Sequence, residues 1–162
     1  MKFTRCGGVH ERTTEKTGIA RGDAPRPRNG AVELCAEQIS TSGLPVTHSI
    51  KCDEIVLDLG QLVPVALIVS ELITNSLKHA FRGRDGGHIS VSFTRCSNSS
   101  DVELVVSDDG AGCITSEPGQ SRSIGRKIIS GLAAQLSAHV TYTNGTGTTA
   151  ALRFPLRNAC KV

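Results

Sequence analysis

Residues 61–81, QLVPVALIVSELITNSLKHAF, leave the chain few folds to choose from. At about 100° per residue, Leu62, Val65, Val69, Leu72, Ile73, Ser76 and Ala80 share one broad face, which predicts a helix with one side in a core. Pro64 is expected in its first turn, where a missing N–H costs nothing. Glu71, Asn75, Lys78 and His79 fall on a narrower stripe roughly opposite, and that stripe begins only at Glu71. Upstream, Leu67 and Ile68 occupy the same side, so the first half is expected to be buried nearly all round. Such a helix leaves a packed core and enters a polar pocket. A carboxylate and an amide oxygen one turn apart, followed by two potential cations, suit Mg-phosphate chemistry. Oxygen ligands hold a metal that keeps its waters, and cations meet the phosphates.

Other elements fall in place around this helix. Residues 1–29 are polar and rich in Gly, Arg and Pro, which predicts a poorly ordered lead-in. A helix is expected over 30–40, with Asn29 as its N-cap. Strands are expected at 46–51 and, briefly, at 54–57. RGRDGG ends the long helix with a turn signal. Residues 88–94 (HISVSFT) alternate cleanly, as do 102–107 (VELVVS), and the polar link between them predicts an antiparallel hairpin. A second amphipathic helix is expected over 125–137, with Ile128, Ile129, Leu132 and Leu136 on one face. Strands at 139–143 and 149–154 are joined by NGTG, a hairpin signal. This order predicts an α+β sandwich over residues 30–162, with helices on one face of a mixed, mainly antiparallel sheet.

Length and composition narrow the function. At 162 residues and 38% hydrophobic, the chain suits one domain. Its net charge is +3 and its basic residues are scattered, which gives no reason to expect nucleic acid or a membrane surface. The apolar stretch of the long helix is expected to be too short to span a bilayer. The first sixteen residues lack the apolar run of a secretory signal. The six cysteines form no CxxC pair, offer no zinc-site spacing, and fit free thiols in a reducing cytoplasm.

Four pieces carry chemistry. The first is the helix stripe of Glu71, Asn75, Lys78 and His79. The second is Asp108-Asp109-Gly110-Ala111-Gly112 at a strand end, where an aspartate can accept a hydrogen bond from an exocyclic amine and glycines admit a ligand to the backbone. The third is Ser123-Ile124-Gly125, opening a helix whose N–H groups and dipole favour an anion. The fourth is Gly145-Thr146-Gly147-Thr148, with hydroxyls available to a ligand. Taken singly, each also fits an ordinary role: a solvated face, an Asp-Gly turn, a helix start, a hairpin turn.

Their order and spacing match a known set. ELITNSLKHAF resembles the ExxxNxxxH box of the GHKL superfamily, which includes gyrase, MutL, the ninety-kilodalton heat-shock chaperone and sensor histidine kinases. DDGAG resembles its DxGxG adenine box, SIGRKIISGLAAQLSA its second glycine box, and GTGTTAALRFP its last box. The wording is closest to bacterial histidine kinases of the subgroup 2 and HWE-like type. The resemblance covers residues 30–156 and implies the Bergerat ATP-binding fold with ATP and Mg²⁺ as ligands. It implies that Asn75 coordinates Mg²⁺, that Glu71 is catalytic at the attacking site, and that Lys78 and His79 contact phosphates. It further implies that Asp108 bonds the adenine amino group, Gly110 and Gly112 shape the pocket, 113–123 form a mobile lid, Gly125 sits near the phosphates and Thr148 near the adenine.

Two departures qualify the match. Ser123 replaces the first glycine of the second box, and Arg126 and Lys127 after it either reach a phosphate or are solvated. Before the ATPase-like part, Val9–Arg12 (VHER) resembles only the tail of a dimerisation helix, and His10 is expected to be solvent-exposed rather than a phosphoacceptor. His48, His88 and His139 are expected to be structural. The expected function is therefore the catalytic domain of a cytoplasmic histidine kinase. It would bind Mg-ATP, phosphorylate a histidine on a separate or missing domain, and signal to a response regulator. On its own it is expected to be monomeric and to autophosphorylate poorly. The alternatives are a stand-alone anti-sigma serine kinase of the same superfamily and a non-catalytic nucleotide switch.

Overall fold

A computed structural model describes residues 37–112 and 124–157. After one helical turn at 37–40 come β1 (Val46–Cys52), α1 (Leu59–Asn75), a π-helical turn (Ser76–Ala80), β2 (Gly87–Arg95) and β3 (Asp101–Asp108). Then follow α2 (Ile124–Gln135), β4 (Val140–Asn144) and β5 (Thr148–Pro155). The lead-in 1–29 with His10, the N-cap Asn29, most of the helix over 30–40, the lid 113–123 and Ser123 lie outside the described residues.

The five strands form one sheet in the order β1-β2-β3-β5-β4. β1 and β2 are parallel, and the other neighbours are antiparallel. A parallel pair needs a long crossover, and α1 supplies it. Strand alternation sends Ile89, Val91 and Phe93, then Val102, Leu104 and Val106, then Ala150, Leu152 and Phe154 to one buried face. The register places Phe93 opposite Leu104, and Leu104 opposite Leu152. Val65, Ile68, Val69, Leu72 and Ile73 of α1, with Ile129 and Ala133 of α2, complete the core. The outer face of the sheet is rich in Ser and Thr; there the Ser107 and Thr149 hydroxyls meet at 2.7 Å. This is the expected two-layer α+β sandwich.

Several details differ from expectation. Asp58 caps α1, its side chain accepting the Gln61 N–H at 2.8 Å, so the helix starts at Leu59. Pro64 therefore lies inside the helix rather than in its first turn. Its ring forfeits the bond to the carbonyl of Gly60, which is exposed to water. The first half of α1 is not buried all round: Ile68 is in the core, but Leu59, Val63 and Leu67 are 77%, 54% and 50% exposed. By length and composition, Leu59–Ala80 passes for a membrane span, contrary to the expectation for this stretch. Its buried side lies against the sheet, as in the core helix of a globular fold.

Residues 54–57 form no strand. The ladder closes at Asp53, whose N–H reaches the Phe93 carbonyl and whose carboxylate accepts the Arg95 N–H at 2.8 Å. The chain then crosses to the helical layer, with Ile55 buried on the way.

α2 runs antiparallel to α1. At one end Gly125 abuts Glu71; at the other, Arg157 joins the Gln135 carbonyl to the Gln61 side chain. Gln61 is fully buried and also donates to the Pro155 carbonyl at 2.8 Å, tying the end of β5 to the start of α1. On α2, Ile129 and Ala133 face inward, whereas Ile128 is half-exposed, not part of the buried face. The helix ends in a Schellman turn: Ala138 N–H bonds Ala133 O, Ser137 N–H bonds Ala134 O, and Ser137 adopts φ 58°.

Candidate functional site

Asp108 takes the next inward position after Val102, Leu104 and Val106, so strand alternation carries a carboxylate into the core layer, 7% exposed. Burying such a group requires partners. Oδ1 accepts the backbone N–H groups of Gly110 and Thr148, each at 3.1 Å. Oδ2 accepts the buried Ser76 hydroxyl at 2.7 Å. A carboxylate offers about four lone-pair positions, so the three donors among the described residues leave one for a ligand.

Ser76 reaches Asp108 from the first residue of the π-turn. Such wide turns are frequent at functional sites. This one presents Lys78 and His79 to solvent at the helix C-terminus, where positive charge complements the dipole. It also directs the Ala80 carbonyl to the Ala111 N–H at 2.9 Å. The glycines allow this approach. A methyl on Gly110 would overlap Ala80, and one on Gly147 would overlap the Asp108 carbonyl. Gly112, beside Gly147, adopts φ 80°, a left-handed conformation that disfavours other residues. Helix end and strand end are thus joined around one carboxylate.

Glu71 and Gly125 form a second contact one turn upstream. A methyl on Gly125 would overlap Glu71 Oε1, so the half-buried carboxylate lies against the first turn of α2. A negative group is favoured there. Asn75, half-buried, adjoins Ser76 and lies one turn after Glu71, linking the two clusters. Thr148 meets Asp108 through its backbone N–H. Arg126 stacks over the Tyr142 ring, 4.8 Å from its centroid, toward the sheet edge. Among the described residues no three His, Cys, Asp or Glu gather as a metal cage.

Sequence reasoning missed Ser76, assigning it to the apolar face. Its signal was one hydroxyl among apolar residues, directly after Asn75. The His88 side chain takes part in neither cluster. The His88 ring nitrogens meet the Thr47 and Ser49 hydroxyls, each at 2.9 Å. Burial, and then the neighbouring His88, hold the His48 pKa below its ordinary value.

Known proteins share this fold. A family model described as histidine kinase-, DNA gyrase B-, and HSP90-like ATPase matches residues 60–158. Blue-light-activated histidine kinase 2 of Erythrobacter litoralis (strain HTCC2594) is 36% identical over 97 residues, which are 57% of this chain and 27% of that protein. This chain therefore spans about a quarter of that relative. The histidine kinase domain of the Erythrobacter litoralis EL346 blue-light activated histidine kinase superposes with TM-score 0.73 at 24% identity, over 86% of this chain and 66% of that one. The Acinetobacter baumannii histidine kinase AdeS shares the fold at TM-score 0.64 and 15% identity, over 80% of this chain and 64% of that one. With the matched model running from the start of α1 past the end of β5, the chain belongs to the histidine kinase-, DNA gyrase B- and HSP90-like ATPase family.

Proposed function

We propose that this chain is the Mg-ATP-binding catalytic domain of a sensor histidine kinase. In this reading the γ-phosphoryl group passes to a histidine on another domain or polypeptide, and from there to a response regulator. The observation that carries the proposal is Asp108. Its carboxylate is buried and, among the described residues, held by three donors with one acceptor position left, which suits the exocyclic amine of adenine. Gly110 lets Ala80 pack closely beside it, and the Thr148 backbone lies on the other side. Mg-ATP supplies the transferable phosphoryl group and the neutralising cation. Asn75 would give the metal an amide oxygen. Phosphate oxygens and water would complete its shell, as Mg²⁺ prefers. Lys78 and His79 would meet the phosphates and Gly125 would lie near them, while Glu71 would act at the attacking end. The protein's part is mainly to position groups and to balance charge.

A thermal-shift titration with Mg-ATP and Mg-GTP tests this. A ligand that binds only the folded state adds about 2.7 kcal/mol at a hundredfold excess over its dissociation constant. The expected result is a shift with ATP that exceeds the shift with GTP. Folded protein that shifts with neither would overturn the proposal. Supplied with its acceptor, the domain should form an acid-labile phosphohistidine; an acid-stable phosphoester would point to the serine-kinase alternative.

A further inference from the structure

We propose that Asp109 is a positioning residue, acting through Asp108 to set the site's preference for adenine; this rests on the ATP-binding reading above. Ile89 pairs with Asp108, so His88 and Asp109 stand opposite each other one step further on. The Asp109 N–H donates to the His88 carbonyl at 3.2 Å, which makes this a hydrogen-bonded pair. Such a pair normally exchanges two bonds, the second running from the His88 N–H to the Asp109 carbonyl. Here the second bond goes to Asp109 Oδ1 instead, at 2.8 Å. The carboxylate has taken the place of its own carbonyl. The released carbonyl turns away and accepts the Arg84 guanidinium.

That substitution has a geometric consequence. The Asp109 carbonyl and the Gly110 N–H belong to one planar trans peptide and point in opposite directions. With the carbonyl turned out to Arg84, the N–H is aimed back at Asp108 Oδ1, where it bonds at 3.1 Å. The Asp109 side chain thereby holds the peptide plane that supplies one of the three donors on the adenine-reading carboxylate. Asp109 is itself exposed and lies outside the core.

The experiment compares the wild-type chain with Asp109→Ala and Asp109→Asn, titrating each with Mg-ATP and Mg-ITP. Inosine carries a carbonyl where adenine carries the amine. In Asp109→Ala the carbonyl is expected to return to His88, turning the Gly110 N–H away. ATP affinity should fall about tenfold, the scale of one hydrogen bond, with ITP affinity changed less than twofold. Asp109→Asn keeps an oxygen for the His88 N–H and should retain the wild-type ATP/ITP ratio. An unchanged ratio in Asp109→Ala would overturn the proposal, as would an equal loss of both nucleotides or failure of Asp109→Asn to rescue. Wild type that binds ATP without preference over ITP would instead remove the adenine-reading role of Asp108, and this inference with it.

Discussion

Replacing Ser76 by alanine should cost the folded state about 2 kcal/mol. The magnitude follows from burial. Ser76 and Asp108 are 8% and 7% exposed, and their bond, at 2.7 Å, is a hydroxyl-to-carboxylate contact. Hydrogen bonds to charged groups contribute about 1.5–3 kcal/mol, and a buried acceptor that loses its donor adds a desolvation cost. Two backbone N–H groups would remain on Oδ1, so the carboxylate stays anchored and the loss is partial. The alanine leaves only a small space, and the cavity contribution is minor. For a chain of 162 residues this corresponds to a fall in melting temperature of roughly 4–8 °C. Urea denaturation followed by circular dichroism measures the free energy, and an unchanged m-value would show that the same transition is being compared. Ser76→Thr, which retains the hydroxyl, is a poor control because its extra methyl enters a packed site; Ser76→Cys, of similar size with a weaker donor, should fall between. A Ser76→Ala loss below about 0.5 kcal/mol, the usual scatter of surface substitutions, would refute the claim that Asp108 depends on this donor.

Three further outcomes are expected. Ser137→Gly should stabilise the protein by about 1 kcal/mol in the same urea assay, because φ 58° carries a steric cost that glycine avoids. Gly110→Ala should lower the melting temperature and weaken nucleotide binding together, since the added methyl would overlap Ala80; a variant of wild-type stability would contradict the close approach of helix and strand ends. Stability should also depend on pH through His48. Its folded-state pKa is depressed by burial and by His88, so the unfolded chain binds the proton more readily. The contribution is fully present above the unfolded value of about 6.5 and is lost as pH falls through the lower folded value. His48→Gln should flatten the decline in urea midpoint from pH 7.5 to 5.5; an unchanged slope would remove His48 as its source.

The fold was largely legible because its strands alternate. Val102, Leu104 and Val106 pointed one way, Ile89, Val91 and Phe93 matched them, and the hairpins followed. Periodicity failed where one residue overrode it. Asp58 captured the Gln61 N–H and moved the start of α1 upstream, leaving Pro64 in the helix interior. Leu67 was expected inside and Ile128 was placed on a buried face, because an apolar side chain does not itself reveal how many neighbours surround its helix. In the candidate site, motif spacing singled out Asp108 and its glycines, whose close approaches match their small size. It did not reveal Ser76, since a fixed 100° per residue places that hydroxyl among core positions without naming its partner on the sheet. Nor did it reveal the exchange at Asp109, which depends on register and on the tilt of one peptide plane.

The π-turn bears on how relatives of this chain should be compared. A π-turn holds one residue more than the α-turn it replaces, and its bonds close from i to i+5 rather than i+4. Within residues 76–80 the wide turn absorbs that residue, so the segments on either side keep the facing they would have on a regular helix. Ala80 thereby meets Ala111, and Phe81 is seated against Gly87. A homologue with a regular helix here should thus be one residue shorter, and the difference would surface in an alignment as a gap. Scoring schemes that count only mismatches would miss it, and an ungapped alignment through this helix would give every later residue the wrong counterpart.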